Sequence, residues 1–133
     1  MKRKILLVDD DRVTLTMLEM ILSRHKYQVL SAKDGSEGLE LALKERPDAV
    51  ISDMLIPKLH GLDLCKKIKQ DPALHQIKVI LMTAVYKGVS FKFEAKGCGA
   101  DHFIEKPIDT NELIAVLHEL LGNPSDNRAL SED

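Results

Sequence analysis

The sequence predicts an α/β fold, a parallel five-stranded sheet with helices on both faces. Three observations carry this. Short apolar runs recur along the chain, at Ile5 to Val8, Val29 to Ala32, Ala49 to Ile51, Val79 to Met82 and His102 to Ile104. Amphipathic segments of helical period lie near residues 12–24, 35–45, 60–70, 88–97 and 109–121, each between consecutive strands except the last. Repeated strand-helix units call for parallel strands, because right-handed crossovers place the helices over the sheet.

In chain order, Met1-Lys2-Arg3-Lys4 resembles the charged head of a signal peptide, but three aspartates interrupt the apolar run that follows, which therefore reads as a buried strand. Asp11 is placed to cap the first helix. Asp34 with Glu37, and Asp109 with Glu112, have the three-residue spacing of a capping box before the second and last helices. Arg46-Pro47 closes the second helix, since the residue before proline disfavours helical backbone; Gly122 and Pro124 close the last. The segment at 88–97 is the least regular, because Gly88, Val89 and Ser90 discourage a helix before Ser90. In the last helix Leu113, Val116, Leu117, Leu120 and Leu121 form one apolar stripe that should pack on the sheet.

Size and charge exclude several classes of function. A chain of 133 residues with 44% apolar and 30% charged residues has room for one domain, taken as residues 1–122, followed by a polar tail at 123–133 expected to be disordered. A net charge of -2, with basic and acidic residues interspersed, gives no field for nucleic acid. No apolar run approaches the roughly 20 residues that cross a bilayer, so the expected location is cytoplasmic. Cys65 and Cys98 have no metal-ligand spacing and are expected to pack as small apolar residues. The histidines, at 25, 60, 75, 102 and 118, are scattered over different elements and are expected at surfaces or caps.

In an open parallel sheet, ligands bind beyond the carboxyl ends of the strands. Here those ends carry Asp9-Asp10-Asp11, Asp53, Thr83 and Lys106. Gathered carboxylates repel one another and imply a divalent cation. Donors that are all oxygen favour magnesium, or manganese, over zinc. A lysine and a hydroxyl opposite such an ion suit phosphoryl chemistry, which depends mostly on positioning and charge neutralisation. Taken singly, each residue also has a plainer role, as a helix cap, a strand threonine or a surface lysine.

The ordered set resembles the receiver domains of two-component response regulators over residues 4 to 121. It comprises Asp9-Asp10 after Ile5-Leu6-Leu7-Val8, Asp53 in Asp53-Met54-Leu55-Ile56-Pro57 with Gly61 beyond it, Thr83-Ala84, and Lys106-Pro107. The resemblance implies a (βα)5 flavodoxin-like fold with strand order 2-1-3-4-5. It implies that Asp53 accepts a phosphoryl group from a histidine kinase or phosphotransfer protein, so that the chain catalyses only its own phosphorylation and dephosphorylation. Magnesium would then be held by Asp10, Asp53 and the backbone carbonyl of Leu55, with Asp9 acting through water. Lys106 and Thr83 would contact the phosphoryl group, and the Lys106-Pro107 bond would be cis.

By the same resemblance Phe103 is a switch residue whose ring moves inward as Thr83 turns toward the phosphoryl group; the alternative is a permanently buried core phenylalanine. The output would be a downstream protein or self-association at the face formed by the fourth helix, fifth strand and fifth helix. Lys87, Lys92 and Lys96 make that face basic, and Phe91 or Phe93 offers it an apolar anchor. Leu55 and Val85, which flank the phosphoryl position, cannot orient a water for hydrolysis, so a long-lived phosphorylated state is expected. His60 departs from the small polar residues frequent before this glycine, and the stretch from Thr83 to Lys106 is about one residue longer than in many short receivers.

Three rivals are weaker. Asp9-Asp10-Asp11-Arg12-Val13 also fits the opening motif of haloacid-dehalogenase-like phosphatases, with Asp9 as nucleophile, but that leaves Asp53 idle and lacks a closing acidic pair. A pure interaction module would not need so complete an acceptor site. A flavin phosphate would be repelled by the carboxylates.

Overall fold

A computed structural model describes residues 2–54, 58, 60–83, 85–86, 89–90 and 96–122. Its strands are β1 (Lys4–Val8), β2 (Gln28–Ala32), β3 (Ala49–Asp53), β4 (Lys78–Thr83), the two-residue β5 (Val85–Tyr86) and β6 (Val89–Ser90), and β7 (His102–Glu105). The helices are α1 (Arg12–Arg24), α2 (Gly35–Glu45), α3 (Gly61–Gln70) and, at the carboxyl end, α4 (Thr110–Leu121). The main sheet is parallel throughout, in the order β2-β1-β3-β4-β7. Counting only its members, that is the predicted order 2-1-3-4-5.

Successive residues of a strand point to opposite faces, so each central strand serves two cores. Ile5 and Leu7 of β1, Ala49 and Ile51 of β3, and Ile80 and Met82 of β4 pack with Leu18 and Leu22 of α1 and with Leu113, Val116 and Leu117 of α4. Leu6, Val8, Val50, Val79 and Leu81 face the other way, onto Ala42 of α2 and Leu64, Cys65 and Ile68 of α3. Burial on both faces explains why these strands read as continuous apolar runs rather than alternating ones.

Helix boundaries follow from local chemistry. Asp11 caps α1, accepting from the Val13 N–H at 3.2 Å and the Thr14 hydroxyl at 2.6 Å. Asp34 caps α2 through the Glu37 N–H, 2.8 Å away, while the Glu37 carboxylate reaches back to the Lys33 N–H rather than to that of Asp34. Asp109 caps α4 through the N–H groups of Asn111 and Glu112. Arg46, ahead of Pro47, adopts left-handed backbone with φ 45° and its N–H closes α2 on the Ala42 carbonyl.

Most of the helix predicted at 88–97 falls on residues outside the described ones. At its edges, Val85–Tyr86 and Val89–Ser90 pair as antiparallel strands and Lys96–Cys98 forms a 3-10 turn. The β-branched Val85 and Val89 and the aromatic Tyr86 favour extended backbone. Residues 91–95, with Phe91, Lys92 and Phe93, lie outside the described residues, as do Lys87, Leu55 and the segment 123–133. Among the described residues no helix is long and apolar enough to cross a membrane.

Candidate functional site

Parallel strands that all run the same way deliver their carboxyl ends to one edge, and β1, β3, β4 and β7 bring the predicted polar residues there. Asp9 and Asp10 follow β1, Asp53 and Thr83 end β3 and β4, and Lys106 follows β7. Asp53 pairs in register with Met82, the residue before Thr83, and Thr83 pairs with Glu105, the residue before Lys106. The Lys106 N–H donates to the Thr83 carbonyl at 2.8 Å, holding the two strand ends together.

The carboxylates of Asp9, Asp10 and Asp53 converge, each offering one oxygen within 4.8 Å of the others. Lys106 Nζ lies 2.6 Å from Asp53 Oδ2 and 3.7 Å from Asp9 Oδ2. The three acids sit in different surroundings: Asp9 is buried, Asp53 half-buried and Asp10 exposed. Asp9 is oriented by the Asp11 N–H, which donates to its Oδ1 at 2.9 Å, while its buried Oδ2 has no hydrogen-bond partner. Burial first, and the neighbouring charges of Asp53 and Asp10 after it, raise the Asp9 carboxyl above its ordinary range despite the Asp11 N–H and Lys106. Burial works to depress Lys106, but its hydrogen bond and ion pair with Asp53, then Asp9, outweigh that and raise it.

These residues fit a hard divalent cation. A buried carboxylate oxygen without a hydrogen bond beside two further carboxylates is an incomplete electrostatic arrangement, and an all-oxygen donor set suits magnesium. The Thr83 hydroxyl is likewise buried without a hydrogen-bond partner. A buried hydroxyl in that state costs free energy unless something arrives to accept from it. Leu55, expected to lend a carbonyl, lies outside the described residues. The Lys106-Pro107 peptide bond is cis, as the resemblance implied. Phe103 is half-buried on β7 and packs against the core on the α2–α3 side.

Two supports of Asp53 were not anticipated. Ser52 donates its hydroxyl to the Asp53 carbonyl at 2.9 Å. Gly61 lies so close to Asp53 that a Cβ there would overlap the Asp53 backbone carbonyl, and its N–H donates to the Met54 carbonyl. The spacing of Asp53 and Gly61 was visible in the sequence, but not the backbone approach behind it. The histidines at 25, 60 and 75 are exposed, His25 and His60 at helix ends; His102 and His118 are half-buried.

Comparison with known proteins agrees with this geometry. The family model described as response regulator receiver domain matches residues 5–118. The response regulator PleD of Caulobacter vibrioides is 35% identical over 120 residues, covering 90% of this chain and 26% of PleD. The chain thus spans about a quarter of that relative. The signal receiver domain of a signal transduction histidine kinase from Syntrophus aciditrophicus superposes with a TM-score of 0.82 at 34% identity, covering 90% of this chain and 89% of the other. The receiver domain of the sensor histidine kinase PA1611 from Pseudomonas aeruginosa, solved with magnesium coordinated in its active-site cleft, has a TM-score of 0.83 at 27% identity, covering 92% and 99%.

Proposed function

Because the chain belongs to the response regulator receiver domain family, a family of signalling modules rather than classical enzymes, we propose that it accepts a phosphoryl group on Asp53 from a histidine kinase or phosphotransfer protein. The observation that carries this reading is the convergence of Asp9, Asp10, Asp53 and Lys106 on one pocket, with Lys106 Nζ 2.6 Å from the acceptor oxygen Asp53 Oδ2.

Asp53 is the nucleophile: a carboxylate oxygen attacks phosphorus, the donor's bond to phosphorus breaks, and an acyl phosphate forms. Lys106 aligns that carboxylate before transfer and then shifts to a phosphoryl oxygen, the stronger anion. Thr83, whose hydroxyl has no hydrogen-bond partner, donates to another phosphoryl oxygen. Asp10 and Asp53, with the Leu55 carbonyl, would hold magnesium, and Asp9 would act through water. When bound, the ion offsets the carboxylate charge and neutralises charge on the phosphoryl group. Asp9 is a poor candidate for the nucleophile because only 1% of its surface is exposed. A strip of exposed Val13, Met17 and Met20 on α1 begins just past Asp10 and gives a donor protein an apolar surface beside the site.

Residues 1–122 form the receiver, α4 ending at Leu121 and Gly122 following it. The output is a change at the face containing β7 and α4. Phosphorylation adds about -1.5 to -2 charge units beside Thr83, whose inward rotation makes room for the half-buried Phe103 ring. A downstream protein or second copy that prefers the new face shifts the population. The test is intact-mass measurement after incubation with acetyl phosphate. Wild type gains a phosphoryl group on Asp53 only with a divalent cation, and Asp53→Asn gains none. Undiminished labelling of that variant at another residue would overturn the assignment.

A further inference from the structure

Cys65 and Cys98 lie far apart in sequence yet meet in the core on the α2–α3 side of the sheet, both free and both buried. Cys65, in the middle of α3, donates its thiol to the Cys98 carbonyl at 3.4 Å. The phosphoryl site uses neither. Cys98 ends the single 3-10 turn at Lys96–Cys98 and sits between two glycines. Around Gly97 there is open space, and Gly99 has φ +87°, so its backbone is left-handed. A one-turn 3-10 helix with Gly97 inside it and Gly99 just after it opens locally more readily than the helix interior that holds Cys65. Ala100 and Phe103, just beyond, pack on the same cluster as the two cysteines.

We propose that Cys65 and Cys98 form a reversible intramolecular disulfide under oxidising conditions, a redox-sensitive clamp that ties α3 to the turn leading into β7. The oxidant class is a small-molecule disulfide such as oxidised glutathione. Local opening of the Gly97-Cys98-Gly99 turn exposes the Cys98 thiol. Its thiolate attacks one sulfur of the small disulfide, whose S–S bond breaks and releases one small thiol, leaving a mixed disulfide on Cys98. As the turn closes, the Cys65 thiolate attacks the Cys98 sulfur and the second small thiol leaves. The two cysteines lose two electrons and two protons, and the small disulfide takes them up as two thiols. In the closed state burial pushes the Cys65 thiol well up from its ordinary range, so Cys98 is the entry point, and Cys65 gives up its proton only while the opened turn still admits water.

The clamp joins residues 33 apart in sequence. Such a cross-link restricts the denatured chain and so stabilises the fold. It also fixes the backbone leading to Phe103 against α3, which gives oxidation a hold on the β7 edge.

The test incubates the full chain, in native buffer, with oxidised glutathione and follows intact mass and peptide mapping. The expected product is a monomer about 2 Da lighter, with a single linked peptide containing Cys65 and Cys98. It melts at higher temperature than the reduced chain, and dithiothreitol reverses both changes. Cys65→Ser and Cys98→Ser should each lose the linked peptide and the rise in melting temperature. A stable glutathione adduct on wild type, a disulfide-linked dimer, or an unreacted pair would each overturn the proposal. The readouts are mass, linkage and melting, so the result stands whether or not Asp53 is phosphorylated.

Discussion

Around the acceptor, individual residues are constrained by distances of an ångström or less. Gly61 is the sharpest case, since any Cβ there would overlap the Asp53 carbonyl. Gly61→Ala should destabilise the chain by about 1–3 kcal/mol, the range for forcing atoms into a packed site, and should slow acetyl phosphate labelling because relief of the clash moves Asp53. Urea unfolding and a labelling time course check both effects. Wild-type stability together with a wild-type labelling rate would mean that the close approach is easily relieved. A second residue prediction concerns lifetime. Val85 offers no group to align a water, so Val85→Glu should speed loss of the phosphoryl group by supplying one, and a phosphate-release assay comparing the variants decides it. At this scale the sequence is readable for identity but not for geometry. Asp9, Asp10, Asp53, Thr83 and Lys106 could be picked out because four strand ends agreed. That Asp9 is buried, aimed by the Asp11 N–H, while Asp10 next to it is exposed could not, because it depends on how the chain turns out of β1.

At the scale of elements the sequence reads most clearly where local preferences agree. Strands β1, β3 and β4 carry unbroken apolar residues, and helices α1, α2 and α4 begin at aspartates with the expected spacing, so propensity, capping and burial all agree. Between Thr83 and Asp101 they disagree. Val85, Tyr86 and Val89 favour extended backbone, Gly88, Gly97 and Gly99 interrupt a helix, and the described part holds two paired strands and a 3-10 turn. A cap is where an element's energetics can be tested with least disturbance. Asp109 accepts from two backbone N–H groups at the start of α4, at 2.9 and 3.3 Å, and Leu113, Val116 and Leu117 then pack on the sheet. Asp109→Ala should cost about 1 kcal/mol. The urea midpoint should fall with an unchanged slope, since the buried surface stays the same. An unchanged midpoint would show that packing alone holds the first turn of α4.

For the molecule as a whole, the fold assembles a site that opposes its own stability, and this makes stability depend on pH and metal. The sheet order gathers the carboxylates of Asp9, Asp10 and Asp53 at one edge with Lys106 among them. Asp9 is the group most affected, its carboxyl raised above 3.8 chiefly by burial. A carboxyl whose folded pKa lies above its unfolded value adds stability below the unfolded value, and that stability is lost as pH rises through the folded pKa. Above the folded pKa, ionised Asp9 weakens the metal-free fold. Asp9→Asn removes the charge and keeps an oxygen for the Asp11 N–H. It also gives up the ion pair with Lys106 at 3.7 Å, but Lys106 retains Asp53 at 2.6 Å, so desolvation should dominate. The metal-free variant should therefore melt above wild type at pH 7, and the gap should close as pH falls and Asp9 takes up its proton. Magnesium should act in the opposite sense. At ten times its dissociation constant it stabilises the native state by about 1.4 kcal/mol, roughly 5 °C in melting temperature for a chain of this size. The variant should respond less, having lost one carboxylate of the cluster. Melting curves across this pH range, with magnesium and with a chelator, give all four comparisons. A metal-free variant that melts below wild type at pH 7 would mean that the attraction of Lys106 outweighs the desolvation of Asp9.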